Sequence, residues 1–182
     1  TTGNTKYLFT DVQVYPIHQT AFGRLTRATS TLPTSGTVQA GTQRQIAAVK
    51  VMAKTATGGT VRLLGVEFLV TVADASMSNI KIGDASKNLL ADCGLDKQER
   101  IVISCGSLPE NLSVILEAGL TVSVYADVAA TGPGNGQLSL TLEDRGRIGD
   151  IGSFMWGDES GQFTWIEEGV PFGGNVTWTV TK

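Results

Sequence analysis

The sequence predicts an all-β protein, a jelly-roll-like antiparallel β-sandwich, and three features lead to this class. Apolar and polar residues alternate on both sides of a Gly- and Pro-rich turn at 132–136, which is typical of strands with one buried face. The chain is rich in threonine and contains 22 glycines, which favour pleated strands and tight turns. Turn signals recur roughly every ten residues, as in sandwiches and jelly rolls.

The 182-residue chain divides into two regions by composition. Residues 1–44 contain short apolar fragments followed by a polar run at 18–36 that has no helical periodicity. We interpret residues 1–44 as an extended N-terminal arm that becomes ordered on a partner, and a plain surface loop or linker is the alternative. Residues 45–182 are predicted to form the β-sandwich domain.

The sandwich domain is predicted to contain about eight to ten strands. The clearest are residues 46–54, 61–72, 79–84, 100–105, 111–117, 120–127, 138–143, 162–167 and 175–181. Gly58 and Gly59 predict a hairpin between the first two strands, and the turn at 132–136 predicts a longer hairpin between 120–127 and 138–143. Long connections near 73–78 and 83–99 favour Greek-key crossovers, and therefore a jelly roll.

Cys93 and Cys105 are the two cysteines of the chain. Their spacing permits a disulfide that closes a short loop, but a chain of this length can form its core without one, and two free thiols are equally ordinary. Cys93 lies in a segment, 85–99, that fits either a short strand or one helical turn. Two cysteines without a Cys-x-x-Cys spacing or a nearby histidine fall short of a tetrahedral site. Asp74, Asp84, Asp92 and Asp96 fall in loops that leave calcium binding open, but the spaced acidic calcium loop is absent, so no metal site and no cofactor are predicted.

The charge and hydropathy of the chain argue against two classes of partner. The net charge is only -3 and no basic stripe is present, so we expect no direct contact with nucleic acid. The apolar runs are too short to cross a bilayer, so we expect no membrane partner. The N-terminal residues 1–4 also lack the charged and apolar regions of a signal peptide.

We expect no enzymatic activity and predict no catalytic residues. His18 is the only histidine and lies in the polar run without an acidic neighbour, which leaves a hydrolytic triad without its base. Adjacent carboxylates such as Glu167 and Glu168 point to opposite faces of a strand, unlike the facing pair of a glycosidase. The glycines at 132–136 are not followed by the Lys-Ser/Thr of a phosphate-binding loop.

The aromatic residues are concentrated in the last thirty or so residues of the chain. Phe163 and Trp165 share one strand face, and Trp178 shares another with valines, which favours packing in a core over a sugar-binding platform. Trp156 lies in a Gly-rich loop instead. We predict that Trp156 is exposed and caps a contact between subunits.

Several features together resemble the small jelly-roll cement or decoration proteins of tailed bacteriophage capsids. They are the polar, Thr-rich arm, the hairpin over 46–72, the sequence Ile80-Lys81-Ile82-Gly83-Asp84 and the long pair of strands over 120–142. The resemblance covers most of the chain and concerns overall pattern, since the family has no short diagnostic motif. It implies a non-enzymatic protein on the capsid exterior of the virion that binds the major capsid protein, bridges neighbouring subunits, and associates with copies of itself as a dimer or trimer.

The resemblance also implies which residues would contact the capsid. Ordering an arm costs roughly 1–2 kcal/mol of backbone entropy per residue, so the arm must bury apolar side chains on the shell. The predicted partner-binding residues are Phe9, Phe22, Arg24, Leu25, Arg27 and Leu32 in the arm, together with Trp156. The alternative is a carbohydrate- or receptor-binding β-sandwich such as a phage fibre head. That alternative predicts exposed tryptophans, whereas a cement protein predicts buried ones.

Overall fold

The computed structural model describes residues 23–55, 59–88, 90–97, 100–110, 114–115, 118–142, 154–164, 166 and 169–182. Within these ranges the chain forms fourteen strands: β1 (Gly23–Ser30), β2 (Ser35–Gln39), β3 (Gly41–Thr55), β4 (Val61–Ala73), β5 (Ala75–Gly83), β6 (Ala91–Asp92), β7 (Gly94–Asp96), β8 (Ile101–Gly106), β9 (Val114–Ile115), β10 (Leu120–Ala130), β11 (Gly136–Leu142), β12 (Phe154–Asp158), β13 (Gly161–Phe163) and β14 (Phe172–Thr181). None of these residues belongs to a helix long and apolar enough to span a membrane.

The strands form one curled sheet whose main path runs β13-β12-β4-β11-β14-β1-β3-β10-β5-β6. We call β1, β3, β10, β5 and β6 the first sheet, and the other strands the second sheet. The junction is β14, which pairs in parallel with β1 near its start and with β2 along its second half. The other strand pairs among the described residues are antiparallel, so the predicted all-β, jelly-roll-like sandwich is confirmed, with their parallel pairing confined to this junction.

Neither predicted hairpin forms, although the strands on both sides of each turn are present. β10 pairs with β3 and β5 in the first sheet, whereas β11 pairs with β14 and β4 in the second. β3 and β4 are separated in the same way. The apolar faces of β10 and β11 meet across the core, where Val124 and Leu140 are each at most 1% exposed. Alternation identified the core-facing residues of each strand, but the predicted solvent face of β10 is wrong, because Ser123 and Tyr125 are also buried and the Tyr125 hydroxyl donates to the carbonyl of Asp84. Alternation also contains no information about the neighbouring strand.

The described part of the predicted arm belongs to the sandwich. β1 pairs with β3 from Gly23 to Ser30, and β2 pairs with β14. A β-bulge between Leu25 and Arg27 lets both Leu25 and Ala28 face the core, three residues apart, which hides the period of two that marks a strand. The globular part therefore begins at or before Gly23, not at residue 45 as predicted, and residues 1–22 lie outside the described residues.

Cys93 and Cys105 form a disulfide, which settles the alternative that the sequence left open. Cys93 directly follows β6, at the edge of the first sheet, and its backbone N–H donates to the carbonyl of Ile80 in β5 at 2.9 Å. Cys105 is buried in β8 of the second sheet. The disulfide therefore ties the outer edge of one sheet to the other sheet. The described part of the ambiguous segment 85–99 contains two short strands, β6 and β7, on either side of Cys93.

Candidate functional site

The predicted partner-binding residues that the structure describes do not form one surface. Arg24 and Arg27 are exposed on β1, and Leu32 is half-buried after it. Leu25 is only 2% exposed and belongs to the core, which corrects the prediction that it anchors a partner. Phe9 and Phe22 lie outside the described residues.

The prediction that Trp156 is exposed is also wrong, because it is 1% exposed and part of strand β12. Its ring packs on Phe163 with centroids 4.5 Å apart. The indole of Trp178 is turned inward as well, and its Nε1–H donates to the carbonyl of Ile46 at 2.8 Å. The aromatic side chains that the structure describes are therefore used for packing, and Trp165 lies outside the described side chains.

The described residues contain no group of three or more His, Cys, Asp or Glu side chains placed to hold a metal ion. His18, the residue weighed as a catalytic base, lies outside the described ranges. The polar groups that could bind a partner lie on the outer faces of the two sheets.

The outer face of the second sheet is rich in hydroxyl groups and spans four neighbouring strands, β2, β14, β11 and β4. We call it the hydroxyl face. It consists of Ser35, Thr37, Gln39, Thr71, Gln137, Ser139, Thr141, Asn175, Thr177, Thr179 and Thr181. None of these side chains is charged. The inward positions between them, such as Val38, Leu138 and Val176, are buried in the core.

The strand register places these side chains in rows across the sheet. One row runs Ser35, Thr177, Ser139 and Thr71, and the next contains Thr37, Thr179 and Gln137. Neighbouring strands lie about 4.8 Å apart, and every second residue along a strand is about 6.7 Å further on. The β4 positions beside Gln137 and Thr141 are Ala73 and Leu69, so the hydroxyl face is a regular array of polar groups on β2, β14 and β11 that reaches β4 at Thr71.

The central hydroxyls of this array are bonded to one another. The Ser139 hydroxyl donates to Asn175 Oδ1 at 2.9 Å and lies 3.2 Å from the Thr177 hydroxyl. Thr141 donates to the same Asn175 oxygen at 3.4 Å. These bonds and the restricted χ1 of threonine orient the array before anything binds, so little side-chain entropy would be lost on binding. Each hydroxyl can both donate and accept, which suits a polar, uncharged partner surface.

A second polar cluster lies at the end of the first sheet and surrounds Asp127. The side-chain amide of Asn79 donates to its Oδ2 at 2.6 Å, and the backbone N–H of Gln43 donates to its Oδ1 at 2.9 Å. These donors, with Asn79 contributing most, lower the pKa of Asp127. Both donors come from residues in the left-handed backbone region, each with φ of 49°. The Asp127 carboxylate therefore fastens two irregular strand positions.

The hydroxyl face was missed by sequence reasoning, although part of its signal was visible. The alternation of threonine with valine and tryptophan over 175–181, and of serine and threonine with leucine over 138–142, marked two polar strand faces. Residue spacing did not show that β11 and β14 are neighbours, or that β2 extends the array. Ser35 and Thr177 lie side by side although 142 residues separate them in the sequence.

No protein-family model and no curated protein matches this chain. Solved structures with some likeness include a cohesin module from a family 33 glycoside hydrolase of Clostridium perfringens, with a TM-score of 0.43 and 14% identity over 89% of this chain and 98% of that module. A non-cellulosomal cohesin from Archaeoglobus fulgidus gives a TM-score of 0.33 and 12% identity, covering 87% and 92% of the two chains. A type I cohesin from Pseudobacteroides cellulosolvens gives 0.31 and 12%, again covering 87% and 92%. At these TM-scores and identities the chain is not assigned to the cohesin family.

Proposed function

We propose that this chain is a non-enzymatic structural protein of a bacteriophage virion, which binds the outside of the capsid and bridges neighbouring major capsid subunits. The observation that carries the proposal is the hydroxyl face: a rigid, uncharged array four strands wide, displayed on a sandwich with a well-packed core. The proposal also rests on the resemblance of the sequence pattern to capsid cement proteins.

The chemistry of the hydroxyl face suits a protein surface. A charged patch would lose hydration on binding and would need a matched partner, whereas hydroxyl and amide groups exchange bonds with water for bonds with the partner at small net cost. The exposed Arg24 and Arg27 on β1 add positive charge, which would favour an acidic rim on the capsid subunit.

The small size of the hydroxyl face explains why such a protein would need to bind more than one capsid subunit. Four strands at about 4.8 Å and five to seven residues at about 3.3 Å give a patch of about 300–450 Å². A stable protein contact buries about 800 Å² on each partner, so one hydroxyl face by itself would bind weakly. Two or more linked copies on a repeating shell would bind much more tightly through avidity.

A carbohydrate- or receptor-binding head is the second candidate, because the hydroxyl face is also suited to hydrogen bonding with neutral sugars. Sugar sites normally add an exposed aromatic ring for stacking. Trp156 and Phe163 are core residues and the indole of Trp178 is bonded inward, so the described aromatic side chains do not supply that ring. The capsid proposal therefore has the stronger support.

The proposal is tested by co-sedimentation of the purified protein with empty shells of the major capsid protein from the same virus. Thr179→Lys places a charge in the centre of the hydroxyl face and should reduce binding by at least about tenfold. Thr42→Lys, an exposed threonine of the first sheet, is the matched control and should bind like the wild type. Both variants should melt within a few degrees of the wild type.

Two results would contradict the proposal. Wild-type protein that stays in the supernatant at every shell concentration would exclude capsid binding, and binding to purified cell-surface polysaccharide instead would favour the fibre-head alternative. Equal loss of binding in the Thr179→Lys and Thr42→Lys variants would show that the hydroxyl face is not the contact.

A further inference from the structure

Positive charges are concentrated on the outer face of the first sheet, where β1 and β3 lie side by side. We call this surface the cationic face, and its charged residues are Arg24, Arg27, Lys50 and Lys54. The positions that alternate with them along β3 are buried in the core, so these side chains point outwards. Lys50 and Lys54 lie about 13 Å apart along β3, so the potentials of the four charges add.

The arrangement of these charges does not stabilise the pairing of β1 with β3. Arg24 lies directly opposite Lys54, and like charges in such a position are destabilising. Residues 12–66 contain six Lys and Arg and no Asp or Glu, whereas residues 67–182 contain sixteen Asp and Glu and seven Lys and Arg. The cationic face is therefore a local concentration of positive charge on a chain whose net charge is -3.

Lys50 and Met52 are supported from the neighbouring strand by Gly119. A Cβ at this glycine would lie 2.9 Å from Lys50 Cε and 3.1 Å from Met52 Cγ, so both side chains occupy the space that a side chain at 119 would take. The next outward position on β10, Thr121, lies beside Lys50 and is uncharged. The close packing holds Lys50 in place before anything binds, which reduces the entropy lost on binding.

The composition of the cationic face indicates an acidic protein surface as its partner. Met52 is half-buried between Lys50 and Lys54 and lies opposite Arg27, and methionine and arginine are both enriched in protein interfaces. The planar guanidinium of arginine also binds a carboxylate through two parallel hydrogen bonds. A nucleic acid fits less well, because β1 and β3 contain no aromatic residue on which bases could stack.

We propose that the cationic face is a docking surface for an acidic segment of a partner protein. It lies on the outer side of the first sheet, whereas the hydroxyl face lies on the outer side of the second. The sandwich therefore presents chemically different surfaces on its two sides, an arrangement suited to a bridge between two partners. The inference concerns a surface other than the hydroxyl face and does not depend on capsid binding.

The test is a titration of a fluorescently labelled poly-L-glutamate peptide with the full chain at low ionic strength, followed by anisotropy. The wild type should bind, and its affinity should fall as salt is added because salt screens the charges. Lys50→Glu and Lys54→Glu should each raise the Kd by about tenfold or more, because each replaces an attractive contact with a repulsive one. Lys97→Glu, an exposed lysine that follows β7 in the second sheet, changes the net charge equally and should bind like the wild type.

Thermal unfolding of the same variants separates loss of the contact from loss of the fold. Lys54→Glu places an opposite charge across from Arg24, so this variant should melt at or above the wild-type temperature although it binds the peptide less tightly.

Three results would overturn the proposal. They are a wild type that does not bind the peptide at low salt, an equal loss of binding in Lys97→Glu, and tighter binding of single-stranded DNA or anionic lipid vesicles than of poly-L-glutamate. The last result would assign the cationic face to another class of partner. None of these measurements uses capsid shells, so each outcome is distinct from a failure of capsid binding.

Discussion

Reduction of the Cys93–Cys105 disulfide should destabilise the protein by an amount that follows from the loop it closes. The two cysteines are 12 residues apart in the sequence. Closing a loop of this size removes unfolded-state entropy equivalent to about 3 kcal/mol at 25 °C. A domain of this size loses about 2–4 °C in Tm per kcal/mol, so a Tm decrease of about 6–12 °C is expected.

The assay is thermal unfolding with and without a reducing agent, with a thiol titration to show that the disulfide is open. The double variant Cys93→Ala, Cys105→Ala is the control, because its Tm should not respond to the reducing agent. Hydrogen exchange should also show lost protection first at β6 and β7, since the disulfide holds Cys93 beside β5. An unchanged Tm in protein with two titratable thiols would refute the reasoning.

Three further substitutions test the packing of β1, the start of β11 and the cluster around Asp127. Leu25→Ala should lower the free energy of unfolding, measured with denaturant, by about 2–5 kcal/mol, because Leu25 is 2% exposed. Arg24→Ala on the outer surface of the same strand should change it little. Equal effects of the two substitutions would mean that β1 is not part of the core. Gly136→Ala should be strongly destabilising, because its new Cβ would overlap the backbone carbonyl of Asp74, while Gly134→Ala, with open space around it, should be tolerated. Equal melting temperatures of the two variants would contradict this close contact. The pKa of Asp127 is lowered in the folded protein, so its carboxylate stabilises the fold above the ordinary pKa of 3.8, and this stabilisation is lost as the pH falls through the pKa in the folded protein. Asp127→Asn should therefore make stability less dependent on pH in acid, which denaturant midpoints measured over a range of pH would show.

Much of the fold was predictable from single strands. The alternation over 138–143 identified the buried face of β11, where Leu138 is 1% exposed. The alternation over 120–127 identified one buried face of β10, but Ser123 and Tyr125 on its predicted solvent face are also buried, at 0% and 1% exposure. The all-β class followed from the same local signals. The arm was misassigned because the bulge in β1 breaks the two-residue period on which the recognition of a strand depends.

The exposure of a side chain was predictable only where the surrounding pattern was regular. Trp156 is flanked by glycines in the sequence, which indicated a loop, yet it lies in a strand that pairs with β4 and β13. Burial of a large aromatic ring contributes more favourable free energy than its flanking residues lose when they become extended. Local composition therefore predicted an exposed side chain for Trp156, which is buried.

The all-β class and the core-facing residues of the regular strands could be predicted from the sequence. The identity of neighbouring strands, the joining of the two cysteines and the row formed by Ser35, Thr177 and Ser139 became clear only from the three-dimensional structure. Alternation is a property of one strand and its solvent exposure. Pairing is a property of two strands, and here the two strands come from segments far apart in the chain.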